Sequence, residues 1–316
     1  MRDVSSLARP TSVPLVADGV RVQRIQDVVG LHALRAEWSA LLESSTSNCV
    51  FLTWEWLATW WKHLGAGRRL DLLAVRHGDE LIGLAPLMVG PRPGGLVPFR
   101  ARQFLGSGSV GSDYLDVILK TGREREALDA LTAKVAEDGL MLDLAQINRR
   151  AAIAPSLAER LKRIDWQVTE RPGDVCPFVD LAGHTWSSYL ASLARGHRYN
   201  VRRRLDQLAR QRAMRFELVE SETRRREALA TLVTLHMRRW SERGGSTALH
   251  ATGLVAFHEE FSRLALQRGW LRLFVMHLAG EPVAALYGLR YGHTFCFYQS
   301  GFDPAHRRYG VGQVIL

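Results

Sequence analysis

The feature that most constrains the fold is a strand meander that ends in a glycine-rich turn near the C-terminus. Apolar runs separated by turn residues predict strands over Leu271–His277, Val283–Tyr291 and Thr294–Ser300. After them the sequence reads R-x-x-G-x-G from Arg307 to Gly312. Glycine lets the backbone approach a phosphate closely, and the first turn of a helix presents N–H groups that have no partner within the helix. The segment therefore predicts a strand, a turn and a helix start that together bind a phosphate.

Length and composition are those of a globular protein with about two domains. The chain has 316 residues, of which 47% are hydrophobic and 23% are charged. No run of the sequence approaches the roughly 18 apolar residues that a membrane span needs. The three cysteines lie far apart, and no Cys/His cluster indicates a metal site, so we expect a reduced, cytoplasmic protein that holds no metal. We expect residues 1–18 to be a disordered leader.

The chain carries a net charge of +10, and nearly all of its basic residues are arginine. A bias in codon composition is one explanation. The other is functional, because the planar guanidinium group favours bidentate contacts with phosphate or carboxylate.

The second half of the chain repeats a pattern of the first. Leu70–Val75 aligns with Leu271–Met276 at a shift of 201 residues (271 − 70), and at the same shift Glu80 falls on Glu281. Any two β-hairpins share some likeness, which is the alternative explanation. Internal duplication is the interpretation that we adopt, and it predicts two domains of similar topology.

Two helices, an antiparallel meander and the R-x-x-G-x-G turn resemble the GNAT acetyltransferase fold. More closely, the chain resembles the CelD-like or BioF2-like branch of tandem GNAT proteins, which are related in fold to the FemAB peptidyltransferases. The blocks that carry this resemblance are Phe51–Leu57 with Trp60 and Trp61, Ser112–Asp116, the basic helix around Tyr189–Leu208, His236 with Arg239 and Trp240, and Phe297–Asp303.

The resemblance implies an α+β fold of two GNAT-like domains, residues 19–172 and 173–316, each a mixed, mostly antiparallel sheet flanked by helices. Such proteins continue beyond the phosphate-binding turn, so we expect the second domain to be truncated at its C-terminal end. The implied co-substrate is acetyl-CoA or another acyl-CoA. The implied cofactor-binding residues are Arg307, Arg308, Tyr309, Gly310, Val311 and Gly312. A glycine-rich turn after a hairpin, without any ligand, is the alternative.

Acyl transfer to an amine needs a hydrogen-bond donor for the oxyanion and a base for the attacking amine. Tyr298 and Gln299 lie on the strand that would carry the cofactor arm, so both are candidates for polar contacts near the thioester. A half-buried core aromatic is the alternative for Tyr298. His236 is the candidate base, because imidazole titrates near neutrality. A structural histidine that packs its helix is the more ordinary interpretation.

Three residues are candidates for binding the acceptor. Arg198 and Arg202 lie on a predicted helix over Thr185–Gln211, and Asp113 lies in the first half of the chain. A solvated helix face and a strand-end hydrogen bond are the respective alternatives. The expected partner is a small-molecule amine or a sugar-linked acceptor in polysaccharide or cell-envelope biosynthesis. The alternatives are a FemAB-type transferase that uses aminoacyl-tRNA, and a non-catalytic scaffold protein.

Overall fold

The computed structural model describes residues 17–92, 99–108, 110–148, 153–210, 214–241, 244 and 252–316. The chain divides into two compact units, Met1–Val175 and Cys176–Leu316. The leader predicted over residues 1–18 lies, except for its last two residues, outside the described residues. Within the described ranges, no helix combines the length and the apolar character that a membrane crossing requires.

The N-terminal unit contains two antiparallel sheets and five α-helices among its described residues. In chain order its elements are β1 (Val20–Ile25), α1 (Val28–Ala33), α2 (Arg35–Glu43), α3 (Trp54–Leu64), β2 (Arg69–Leu70), β3 (Leu72–His77), β4 (Glu80–Ala85), β5 (Leu87–Arg92), β6 (Phe99–Phe104), β7 (Ile118–Leu119), α4 (Glu124–Asp138) and α5 (Ile153–Lys162). One sheet has the order β1-β3-β4-β7 and the other the order β2-β5-β6.

Tryptophan side chains form much of the core of this unit. Trp38 and Trp56 are fully buried, and Trp54 is almost so. Their indole N–H groups donate to the carbonyl oxygen of Leu52 at 2.8 Å, to Oγ of Ser112 at 2.9 Å and to the carbonyl oxygen of Leu31 at 2.9 Å, respectively. A buried indole needs such a partner, so these side chains are satisfied within the fold.

The C-terminal unit contains a single four-stranded antiparallel sheet among its described residues. Its elements are α6 (Trp186–Ser192), α7 (Arg195–Ala209), β8 (Met214–Leu218), α8 (Glu222–Ser241), α9 (Thr252–Gln267), β9 (Leu271–Leu278), β10 (Glu281–Tyr291), β11 (Thr294–Phe302), a 3₁₀ helix (Pro304–Tyr309) and α10 (Val311–Val314). The strand order is β11-β10-β9-β8. One face packs against α7 and α10 through Leu208, Leu286 and Val311, and the other face carries α8 and α9.

The strand register agrees with the internal duplication predicted from the sequence, which stays a prediction. In the N-terminal unit His77 pairs with Glu80, and in the C-terminal unit Leu278 pairs with Glu281, so both hairpins turn at the same position of the alignment. In each unit a first strand is followed by helices and then by this hairpin, with the orders β1-β3-β4 and β8-β9-β10. The predicted mixed α+β class, with antiparallel sheets flanked by helices, is confirmed.

The long helix predicted over Thr185–Gln211 is wrong in one respect, because it is two helices. Leu193 and Ala194 are extended, with ψ of 146° and 144°, and separate α6 from α7. Gly196 weakens the first turn of α7. Between Leu190 and Leu208 no residue of these helices is buried, so no packing holds the helix through the break.

Asp116, one of the two aspartates that bracket Tyr114 and Leu115, is buried in the N-terminal unit. Its carboxylate accepts hydrogen bonds from N–H of Val117 at 2.8 Å, N–H of Ala154 at 2.9 Å and Oγ of Ser47 at 2.9 Å. Burial nevertheless raises the pKa of Asp116 from 3.8 to about 6. Its contacts join three separate segments of this unit.

The raised pKa of Asp116 predicts a pH-dependent stability. The folded state holds this proton more tightly than the unfolded chain does, so the stabilisation is complete below pH 4 and is lost as the pH rises to about 6. Asparagine cannot ionise, so in Asp116→Asn the free energy of unfolding should not show the fall of about 2–3 kcal/mol that we expect in wild type across that range. Unfolding followed by tryptophan fluorescence measures this. The fully exposed Asp79 gives a control, Asp79→Asn, which should keep the wild-type slope. Equal slopes in Asp116→Asn and wild type would contradict the prediction.

Candidate functional site

The R-x-x-G-x-G segment forms a 3₁₀ helix, a left-handed glycine and the start of α10. Oδ1 of Asp303 accepts from N–H of Ala305 at 2.9 Å and caps the 3₁₀ helix, which ends at Tyr309. Gly310 has φ of 67° and ψ of 26°, a conformation that residues with a side chain seldom adopt. Val311 then begins α10.

The N–H groups of this turn are only partly engaged. N–H of Gly310 donates to the carbonyl oxygen of Arg307 at 3.0 Å, and N–H of Gln313 donates to the carbonyl oxygen of Gly310 at 2.8 Å. Between them, the N–H groups of Val311 and Gly312 donate no hydrogen bond to any described residue. Val311 is fully buried and Gly312 is half-buried, so the N–H group of Gly312 is the member of the predicted phosphate-binding set that a ligand could reach.

Both glycines of the turn are required by close neighbours. A Cβ atom at Gly310 would lie 2.7 Å from Cδ of Arg204, and one at Gly312 would lie 2.7 Å from Cδ1 of Phe302. The turn is therefore packed against α7 on one side and against β11 on the other. A side chain at either position would displace the backbone that a phosphate must approach.

Arg204 belongs to this site although the sequence did not single it out. It lies four residues before Leu208, the residue through which α7 enters the core, so both occupy one face of the helix. Arg307 and Arg308 are exposed on the turn itself, and the guanidinium of Arg308 lies 4.7 Å from the centre of the Tyr309 ring. Arg204 thus packs on the turn, and Arg307 and Arg308 belong to it. The spacing of four residues from Leu208 is the sequence signal that could have identified Arg204.

Strand β11 contains a β-bulge at Tyr298. The register with β10 passes from Tyr287 opposite Gln299 to Gly288 opposite Phe297, so Tyr298 is the inserted residue. A bulge interrupts the ladder and re-aims a side chain. Strict alternation along the strand does not predict it, and sequence reasoning missed it.

The bulge directs Tyr298 toward His258 of α9. The phenolic oxygen lies 3.0 Å from Nε2 of His258, whose side chain is only 2% exposed. Burial lowers the pKa of His258 to about 3, so the imidazole is neutral at physiological pH. Tyr287 completes an aromatic cluster, with its ring centre 5.7 Å from that of His258 and 5.4 Å from that of Tyr298.

His236 and Gln299 both bind the backbone of β11. The His236 side chain is buried, and its Nδ1 atom lies 3.2 Å from the carbonyl oxygen of Ser300. Oε1 of Gln299 accepts from N–H of Ser300 at 3.0 Å. These contacts give each residue a place in the packing of the strand, and their catalytic roles stay predictions.

Helix α8 crosses β11 at Gly301. A Cβ atom there would lie 2.3 Å from the backbone nitrogen of His236. Beside this contact, Nη1 of Arg239 donates to Oγ of Ser300 at 3.1 Å. The backbone of the helix therefore lies directly on the strand that carries Tyr298.

The residues predicted to bind the acceptor lie apart from this cluster in the chain. Arg202 is exposed on α7, and Nη1 of Arg198 donates to the carbonyl oxygen of Ala191 at 3.0 Å. Asp113 is half-buried in the loop between β6 and β7 of the N-terminal unit. The roles of all three residues in binding an acceptor stay predictions.

The glycine-rich loop of the N-terminal unit is closed by its own contacts. Oγ of Ser112 donates to the carbonyl oxygen of Gly106 at 2.6 Å and accepts from the indole of Trp56. A Cβ atom at Gly106 would lie 2.7 Å from Leu57, so side chains already fill the space beside it. Throughout the described parts of both units, no three His, Cys, Asp or Glu side chains form a group suited to a metal ion.

Comparisons with known proteins agree with this geometry. Residues 195–316 match the family model described as an acetyltransferase (GNAT) domain. The fold is similar to the crystal structure of FemX, with a TM-score of 0.60 at 13% identity over 93% of this chain and 83% of FemX. A conserved protein of unknown function from Bacteroides thetaiotaomicron VPI-5482 gives a TM-score of 0.46 at 15% identity, over 90% of this chain and 81% of that protein. A comparison with curated proteins finds no match. The predicted resemblance to a GNAT-like, FemAB-related branch is confirmed.

Arg225 of α8 links this helix to α9 behind the site, and its contacts predict a contribution to stability. It is 1% exposed and donates to Ser262 and Glu259 of α9, each at 2.7 Å, and to Glu222. Arg225→Met removes these bonds, and we expect a loss of about 2–3 kcal/mol in stability because both carboxylates are partly exposed.

Thermal unfolding and amide hydrogen exchange of α9 measure this loss. The neighbouring Arg226 is 68% exposed and approaches the same two glutamates, so Arg226→Met is the matched control. We expect its effect to stay within about 0.5 kcal/mol. Equal losses in the two variants would show that burial of Arg225 does not stabilise this helix pair.

Proposed function

We propose that this chain, whose residues 195–316 match a GNAT domain, is an N-acyltransferase that moves an acyl group from coenzyme A to an amine. The observation that carries the proposal is the C-terminal turn, where the N–H group of Gly312 has no partner among the described residues, Arg204 packs on Gly310, and Arg307 and Arg308 precede the glycines. The domain match and the fold support an acyltransferase in general. Coenzyme A as the donor is our more specific inference.

The residues of the turn fit the pyrophosphate of coenzyme A. Glycine at positions 310 and 312 adds no side chain to a turn on which Arg204 and Phe302 already pack, so a diphosphate would have to reach only the half-buried N–H group of Gly312. Arg204, Arg307 and Arg308 supply positive charge, and guanidinium groups bind phosphate oxygens in a planar, bidentate manner. The site thus combines directional donors with charge of the correct sign.

Strand β11 leads from the turn to the place where chemistry would occur. Phe302, at the end of the strand, lies four residues after Tyr298, which is roughly 13 Å at about 3.3 Å per residue. An extended pantetheine arm spans a distance of this order, so the thioester would lie near the bulge. The bulge would then be the break in the β-ladder at which the strand contacts the co-substrate.

The reaction joins the amine nitrogen to the carbonyl carbon of the thioester and breaks the carbon–sulfur bond. Negative charge develops on the carbonyl oxygen as the amine attacks. When the thiolate leaves, the electron pair on that oxygen restores the carbonyl double bond of the amide. The proton released by the nitrogen balances the thiolate, so the products are an amide and free coenzyme A. Holding both reactants in one site supplies much of the rate enhancement.

A second candidate is a transferase that uses aminoacyl-tRNA, and the exposed face of α7 favours it. The helix carries Arg195, Arg202, Arg203 and Arg210 on its solvent side. Such a basic face attracts the phosphate backbone of RNA. The two candidates share an acyl acceptor amine and differ in the acyl donor.

Calorimetric titration with acetyl-CoA tests the first candidate. Gly310→Glu puts a Cβ atom and a negative charge where the diphosphate would bind, so we expect the affinity to fall at least tenfold, about 1.4 kcal/mol. Gly292 also has a positive φ, and its surroundings are open. Gly292→Glu therefore introduces the same charge and a similar backbone strain at another turn, and it should bind like wild type. Absence of binding by wild type, or equal binding by both variants, would refute coenzyme A as the donor.

Filter binding of unfractionated tRNA tests the second candidate. If tRNA carries the acyl group, its affinity should fall steeply with salt, and Arg202→Ala with Arg203→Ala should reduce the slope of log Kd against log salt by about 2. Alanine at the exposed Arg21 and Arg69 of the N-terminal unit is the control. A wild-type affinity no tighter than that of the double variant would remove this candidate.

A further inference from the structure

A buried histidine and a tyrosine outside the phosphate-binding turn form a pair whose hydrogen bond has a direction. Tyr298 lies on the bulge of β11, and His258 lies on α9 with Nε2 at 3.0 Å from the phenolic oxygen. The other ring nitrogen, Nδ1 of His258, is buried and has no hydrogen-bond partner among the described residues. Either the imidazole or the phenol must donate the single proton that they share.

The buried Nδ1 atom decides which group donates. If Nδ1 carried the proton, a buried N–H donor would have no acceptor, and such orphaned donors are rare in folded proteins. If Nε2 carries it, Nδ1 is only an acceptor without a donor, which is tolerated more often. The hydrogen bond made at one ring nitrogen sets the tautomer of the other. His258 is therefore the donor to Tyr298.

The imidazole does not act as a base in this pair. Burial lowers the pKa of His258 to about 3, and no acidic side chain contacts the ring to reverse that shift within the described residues. The groups around it are the rings of Tyr287, Tyr298 and Phe257, the last with its centre 4.9 Å away. His258 thus stays neutral and keeps one orientation and one proton position.

We infer that His258 is a positioning residue that holds Tyr298 as a hydrogen-bond donor to the carbonyl oxygen of the acyl thioester. This inference rests on the proposed function. Because the phenolic oxygen accepts from His258, the phenolic proton points away from that ring. Tyr298 is half-buried, and among the described residues β11 pairs only with β10, so a ligand that runs along β11 would pass its side chain. The carbonyl oxygen of the thioester is the group that gains negative charge during attack.

This assignment gives Tyr298 one of the two tasks that acyl transfer poses. A donor fixed before the reaction stabilises the oxyanion without reorganisation, and the loss of one such donor typically lowers kcat by about 10²–10³-fold. Proton removal from the amine is a separate task, and neither member of the pair performs it. A purely structural role would instead make the contact part of the aromatic cluster with Tyr287 and give it no effect on a bound thioester.

The first experiment reads the tautomer directly and does not depend on activity. The protein is labelled with ¹⁵N-histidine, and long-range ¹H–¹⁵N spectra distinguish a protonated from an unprotonated ring nitrogen. His258→Gln identifies the His258 signals by their loss. We expect a protonated Nε2 and a bare Nδ1 that stay unchanged from pH 5 to pH 9. A protonated Nδ1, or a ring that titrates in this range, would overturn the inference.

The second experiment observes the thioester itself without an acceptor. Hydrogen bonding moves the ¹³C resonance of a carbonyl downfield, so bound [1-¹³C]acetyl-CoA reports on its polarisation. We expect a downfield shift with wild type that is abolished by Tyr298→Phe and reduced by His258→Leu. His258→Gln keeps an N–H donor near the position of Nε2 and should restore most of the shift. Dissociation constants should change less than threefold in all three variants.

The outcomes separate this inference from the proposed function. If wild type does not bind acetyl-CoA, the proposed function fails, while the tautomer is still decided by the nitrogen spectra. If acetyl-CoA binds and the carbonyl resonance is the same in wild type and Tyr298→Phe, the inference fails and the proposed function stands. Circular dichroism would show whether His258→Leu folds. If it does not, the carbonyl shift measured with His258→Gln tests the inference, and loss of the shift in that variant would count against a donor at this position.

Discussion

The backbone contact between α8 and β11 is the constraint on which the rest of the C-terminal unit depends. At Gly301 the strand lies so close to the backbone nitrogen of His236 that no side chain fits between them. The contact sets the height of α8 above the sheet. Arg225 then joins α8 to α9 by buried hydrogen bonds, and α9 in turn holds His258 against Tyr298. One glycine thus sets the positions of two helices, and through them the orientation of the side chain on the bulge.

The other face of the same sheet positions the turn. Leu208 of α7 and Val311 of α10 pack on β9 and β10, which brings Arg204 against Gly310. Strand β11 connects the two regions, with the bulge near its middle and the turn after its end. A rigid strand is suited to hold an extended co-substrate, because both of its ends are fixed by packing on opposite faces. The N-terminal unit shares the strand order, yet its own glycine-rich loop is closed by Ser112 and Trp56.

Sequence reasoning recovered the features that depend on local pattern and missed those that depend on packing. The hairpin register was predictable because Glu80 and Glu281 mark equivalent turns, and the C-terminal turn was predictable because two closely spaced glycines follow the last strand. The break between α6 and α7 was not, since helical periodicity continues across Leu193. The bulge at Tyr298 and the pairing with His258 arise from contacts between elements 40 residues apart, which alternation along one strand does not encode. Sequence reasoning likewise did not distinguish Arg204 from the other arginines of α7. The structure does so, because burial of Leu208 shows which face of the helix packs on the sheet.

The most direct test of the central claim is a backbone ¹H–¹⁵N spectrum of the protein titrated with acetyl-CoA. If the turn binds the diphosphate, the amide resonance of Gly312 should move downfield with the same dissociation constant as the rest of the bound state, and 3′-phosphoadenosine diphosphate without the pantetheine arm should reproduce that shift. A resonance of Gly312 that stays in place while acetyl-CoA saturates the protein would show that the ligand binds elsewhere and would contradict the claim.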